Sequence, residues 1–162
     1  MLRRTAAETG GRLFEFELQL GPRGKVPAAH LHPEQQERFT VLEGTVQFKV
    51  SGRSVLATPG QVVTVPAGSS HSFANLHDRP ARVLVEVRPA LAMESLLETA
   101  AALGARPRPL DLVLFLAEFA REVRPPVVPR VTGALARASA RAATTLGLGR
   151  RYRGLRAPDR SP

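Results

Sequence analysis

From Phe14 to Arg88 the chain is cut into short β-rich runs, each ended by Gly, Pro or another turn residue. That punctuation points to an all-β sandwich or barrel. In the clearest run, Phe14, Phe16, Leu18 and Leu20 alternate with Glu15, Glu17 and Gln19, which predicts a strand with one apolar face. Further strands are expected over residues 26–32, 38–42, 45–50, 54–57, 62–65, 71–75 and 81–88. Glu43-Gly44 and Ser51-Gly52 suit tight turns between them, because Gly accepts a positive φ without steric penalty.

Beyond Pro89 the period becomes helical. Met93, Leu96, Leu97 and Ala100 recur as one helix face does, with Gly104 placed to end it. Asp111 is expected to cap or open a second helix, with Leu112, Phe115, Leu116 and Phe119 on one side. Three Pro within residues 124–129 must break it. A third stripe, Val131, Leu135, Ala138 and Ala142, lies beside a basic one of Arg130, Arg137 and Arg141. Nothing is periodic from Arg150 onward, and disorder is expected there. The division expected is a β domain over residues 1–89, a helical extension over 90–149 and a basic tail over 150–162. The apolar helical stripes should pack outside the β domain or across a dimer interface, and a homodimer is expected.

Residues 1–89 carry 11 basic and 8 acidic side chains, residues 90–162 carry 12 and 6, so most of the net +9 lies in the second part. Such a tail could touch an anionic surface. Nucleic-acid readers interleave aromatics with their basic residues, whereas the tail offers only Tyr152, so no nucleic-acid partner is expected. The longest apolar stretch, residues 112–117, is far below the ~20 residues of a membrane span. With no secretory pattern in residues 1–11, a cytoplasmic location is expected.

The absence of Cys excludes thiolate metal sites and Cys nucleophiles, so any metal must be held by nitrogen and oxygen. Only four His occur. His30 and His32 fall on one face of a strand, since side chains alternate with period two. Glu37 follows across the bend at Pro33, where an antiparallel neighbour can swing its carboxylate back toward both imidazoles. His71 opens a later strand, after the Pro66-Ala67-Gly68 turn. Three neutral imidazoles and one carboxylate would hold a divalent ion and leave coordination positions open. Such donors suit Fe, Mn, Ni, Cu, Co or Zn alike. Phe39 and Val41 share the parity of Glu37, and Phe73 that of His71, which suggests an apolar pocket beside the metal. His77 and Glu43 read as solvated loop and turn residues.

In these residues the sequence resembles the cupins. Their first motif, Gly-x5-His-x-His-x4-Glu-x6-Gly, stands here as Gly24, His30, His32, Glu37 and Gly44. Their second, Gly-x5-Pro-x-Gly-x2-His-x3-Asn, stands as Gly60, Pro66, Gly68, His71 and Asn75. Every spacing is met, and 15 residues separate the two motifs. The resemblance covers roughly Leu13 to Pro89. It implies a cupin, jelly-roll-like antiparallel β-barrel, all-β, with an α-helical C-terminal appendage. It also implies one divalent transition metal inside, on His30, His32, Glu37 and His71, with Asn75 mainly structural.

The expected function is a metal-dependent oxygenase of the quercetin-dioxygenase-like kind acting on a small hydrophobic molecule. In it Glu37 serves as ligand and proton acceptor, and Phe39, Val41 and Phe73 line the substrate pocket. Two other readings stay open: metal-assisted isomerisation, cyclisation or dehydration in small-molecule biosynthesis, and a non-catalytic module that binds a metal or small ligand.

Overall fold

The computed structural model describes residues 1–25, 29–104 and 106–126. The expectations for the third helical stripe and the basic tail lie outside these residues. Among the described residues there are eight strands: β1 (Leu2–Arg4), β2 (Phe14–Leu20), β3 (Gln36–Glu43), β4 (Val46–Val50), β5 (Arg53–Ala57), β6 (Val62–Val65), β7 (His71–Ala74) and β8 (Ala81–Arg88). Two helices follow, α1 (Met93–Leu103) and α2 (Pro109–Glu118).

The strands form two antiparallel sheets, ordered β1-β2-β8-β3-β6 and β5-β4-β7. The sheets face each other as a jelly-roll sandwich and do not join into the closed barrel expected from the sequence. Strand β8 lies between β2 and β3, and its Val83, Val85 and Val87 are almost wholly buried. Burial of each stabilises the fold by roughly 1.5–3 kcal/mol. Across the gap Phe39 of β3 meets Phe48 of β4 and Phe73 of β7, with ring centroids 5.2 and 5.1 Å away.

Two strand expectations change. Of the strand expected over residues 26–32, residues 26–28 lie outside the described residues, and within 29–32 there are only isolated bridges, His30 to His71 and Leu31 to Arg124, with Lys25 before them bridging to Ala74. In β2 the apolar face is not the whole of what is buried. Phe16 and Leu18 are half-buried, whereas Glu17 is buried beneath ion pairs from Arg3 and Arg82. Strand β1, which presents Arg3, pairs antiparallel with β2 and had no counterpart in the sequence reading.

Helix α1 ends at Gly104, whose N–H reaches the carbonyls of Ala100 and Ala101. Met93 and Leu96 are buried, but Leu97 is exposed, so the buried stripe is narrower than the periodicity implied. Helix α2 opens at Pro109, two residues before Asp111, because the fixed φ of Pro suits a first helical turn. Asp111 sits within that turn and pairs with Arg108 at 2.9 Å. Leu112 is exposed, while Phe115 and Phe119 are buried. Met93, Leu96, Phe115 and Phe119 all belong to the same apolar cluster as Phe14, Phe39 and Val87, so the helices complete the core of the sandwich. No helix among the described residues is long and apolar enough to cross a membrane.

Candidate metal centre

The four residues singled out by spacing meet at one end of the sandwich. His30 and His71 exchange backbone hydrogen bonds of 3.0 and 2.8 Å, which sets their side chains next to each other with ring centroids 4.4 Å apart. His32 lies two residues along on the same side, 5.0 Å from His30 and 5.2 Å from His71, centroid to centroid. Each imidazole offers a nitrogen within 4.8 Å of the other two. Glu37 comes from β3 in the opposite sheet, and its Oε2 lies 2.8 Å from Nε2 of His71 and 3.2 Å from Nε2 of His32. His32, Glu37 and His71 are buried, and half-buried His30 gives the cluster its contact with solvent.

Backbone contacts decide which way two of the rings present their lone pairs. Nδ1 of His71 lies 3.2 Å from the carbonyl of Ser69, and Nδ1 of His32 contacts the carbonyl of Glu122. A carbonyl only accepts, so in the neutral form of both rings Nδ1 carries the proton and Nε2 keeps its lone pair for the interior. There Nε2 of His32, Nε2 of His71 and Oε2 of Glu37 are buried without a hydrogen bond of acceptable geometry, although they crowd together. Buried acceptors left in this state are costly. A divalent cation satisfies all three at once, and an imidazole anchored through its other nitrogen is the usual posture of a metal ligand. The residues therefore fit a divalent transition metal, and the donor set does not choose among the candidates.

The electrostatics favour an anionic Glu37. Burial alone would raise its pKa, but hydrogen bonds and positive charge from His32 and His71 with a proton on Nε2, the position a cation would take over, outweigh that and bring it down to about 2. Burial lowers the pKa of His32; contact with Glu37 and the Glu122 carbonyl more than reverses this and leaves it raised.

Phe39, Val41 and Phe73 are buried core residues, packed with Phe48 beneath the ligands. The Phe39 centroid lies 6.1 Å from that of His71, so this group forms an apolar floor. A cleft of about 370 Å³ lies elsewhere, at the end of β3 remote from Glu37, lined by Gly44, Thr45, His77, Asp78, Arg79 and Pro80. His77 is exposed, and the side chain of Glu43 is 71% exposed. Asn75 is fully buried and holds a loop: its Nδ2 donates to the carbonyls of Gly21 and Arg79, and its Oδ1 accepts from the His77 N–H.

The segment from Phe119 to Arg124 was not expected at the site. Arg124 and Leu31 exchange backbone hydrogen bonds of 2.9 Å, which brings the Glu122 carbonyl to His32. That contact uses a backbone oxygen, which no residue type advertises; the large apolar Phe119 was the available sign that the chain docks there.

Residues 16–87 match the family described as Cupin domain. A quercetin 2,3-dioxygenase of Bacillus subtilis (strain 168) is 33% identical over 63 residues, which is 39% of this chain and 19% of the dioxygenase. The chain thus spans about one fifth of that relative. Among solved structures, a predicted oxalate decarboxylase from Thermotoga maritima is 22% identical with a TM-score of 0.51, covering 53% of this chain and 75% of the other. A sugar phosphate isomerase from a cupin superfamily, from Silicibacter pomeroyi, is 29% identical with a TM-score of 0.47, covering 54% and 57%. The Thermotoga structure supports the same fold, and the segment of this chain that matches the Cupin domain family contains Glu37 and all three clustered histidines.

Proposed function

We propose that the chain is a metal-dependent oxygenase for a small hydrophobic organic substrate, using one divalent transition metal held by His30, His32, Glu37 and His71. The observation that carries this reading is the convergence of buried, unsatisfied donor atoms from His32, His71 and Glu37 beside a third imidazole. The similarity to a quercetin dioxygenase supports the choice of oxygen chemistry.

When bound, the ion supplies Lewis acidity and redox chemistry toward dioxygen. The side chains supply the rest. Ser69 and Glu122 keep His71 and His32 in the tautomer that aims Nε2 inward. Glu37 stays ionised through neutral pH, so it serves as an anionic ligand and accepts a proton only from a strongly acidified substrate hydroxyl. Phe39 and Phe73 exclude water from beneath the ligands, and the half-buried edge at His30 is where substrate arrives.

Oxygen consumption by the iron-, nickel-, manganese- or copper-loaded full chain, with quercetin and other enolisable aromatics, tests this. Uptake matched by product is expected. Turnover without oxygen uptake would replace the oxygenase with an isomerase, cyclase or dehydratase, and tight binding without turnover would leave a binding module.

A further inference from the structure

We propose that residues 119–124 form a strap that positions His32 for metal binding, so that docking of the C-terminal segment and metal affinity are coupled. The coupling to affinity rests on the metal reading above; the hold on His32 does not.

Four contacts fasten the strap. Phe119 is fully buried in the common core. Glu122 is 1% exposed, and its Oε1 accepts the N–H of Ala92 at the head of α1 at 3.2 Å. Arg124 and Leu31 form an antiparallel bridge, with 2.9 Å hydrogen bonds in both directions. On the surface, Arg121 grips Glu34 with Nε and a terminal nitrogen, at 2.9–3.2 Å. Leu31 and Glu34 flank His32 in the sequence, so the strap clamps the chain on both sides of one ligand.

The strap also touches the ligand itself. The Glu122 carbonyl accepts the Nδ1 proton of His32, across 90 residues of sequence, and so commits Nε2 to the centre. With the strap released, the imidazole is free to change tautomer and rotate, and the fraction of chains ready for metal falls. Reciprocity follows: whatever the strap adds to metal affinity, the metal adds to strap docking.

Two variants of the full chain test this. Arg124→Pro removes the N–H that binds Leu31. Arg121→Glu sets like charges against Glu34 at the surface, and the swap Glu34→Arg/Arg121→Glu restores the pairing without entering the core. The first readout, on metal-free protein at alkaline pH, is the His32 tautomer from long-range nitrogen–proton NMR. The wild type should show Nδ1 protonated, and Arg124→Pro a mixture. The second is Zn²⁺ affinity by competition with a chelating dye. Arg124→Pro should weaken it by about 10–100-fold, the range for loss of a ligand's outer partner. Arg121→Glu should weaken it less, and the swap should recover it. Unchanged tautomer and unchanged affinity in a folded Arg124→Pro would overturn the strap. If Arg124→Pro fails to fold, Arg121→Glu with its rescue decides in the same way. Should the wild type bind no Zn²⁺ while the tautomer still follows the variants, the metal reading falls and the strap's hold on His32 stands.

Discussion

Gly68 donates its backbone N–H to the carbonyl of His32 at 2.8 Å, tying the turn that aims His71 to the segment that carries the other two imidazoles. Gly68 has φ of 75°, and a Cβ there would meet no atom within 4 Å. Substitution Gly68→Ala should therefore act through backbone strain alone, lowering stability by about 1–2 kcal/mol. Because the strained residue anchors His32, metal should also be retained less tightly. Urea denaturation of metal-free protein and chelator competition check the two effects separately.

Gly44 gives the contrast. Its φ is nearly the same, 76°, but a Cβ would lie 2.8 Å from Cβ of Ala81 and 2.9 Å from the Pro80 carbonyl. Strain is joined by overlap with backbone that cannot move aside, adding roughly 1–3 kcal/mol. Gly44→Ala should be clearly the more destabilising of the two in the same urea titration, with the metal site unaffected in whatever fraction remains folded.

Asn75 bridges Gly21, Arg79 and His77 from a fully buried position. Asn75→Ala should cost about 1–3 kcal/mol, since it removes hydrogen bonds to part-buried loop backbone and leaves a gap where a buried side chain was. Metal content per folded chain should stay at the wild-type level, which would separate this motif residue from the ligands beside it.

Glu17 makes the fold sensitive to acid. Hydrogen bonding from Arg3 holds its pKa below the ordinary carboxylate value; burial opposes this, and Arg82 adds to the lowering. A carboxylate with a depressed native pKa stabilises the fold fully above the unfolded value of about 4.3, and the benefit disappears as pH falls through the native pKa. The melting temperature of wild type should exceed that of Glu17→Gln near neutrality, and the gap should start to narrow below about pH 4.3 and vanish as pH falls through the lowered native pKa. A gap independent of pH would mean that Glu17 acts by packing and not by charge.

The sequence carried the strands whose burial follows the period-two pattern. The bounds of β2, β6 and β8 match those expected, and β3 and β7 differ by only one or two residues. The side-chain cluster was readable because His and Glu have few other reasons to recur at those spacings, and the structure brings the four together. What escaped notice shares a different physics. Strand β1 is exposed at all three residues and holds its place by backbone pairing, so it has no apolar signature. Burial of Glu17 depends on Arg3 and Arg82, 14 and 65 residues away, which no local pattern records. Leu97 and Leu112 repeat with helical period, yet they face solvent because only part of each helix meets the sandwich. The strap reaches His32 through a carbonyl, a group every residue has.

Metal content of the untagged full chain, measured beside that of His71→Ala, bears on the centre most directly. About one divalent transition metal per wild-type chain is expected, with nearly all of it lost when the Nε2 facing Glu37 is removed. Equal metal in both proteins, or none in the wild type under metal-replete conditions, would contradict a centre built on these four side chains.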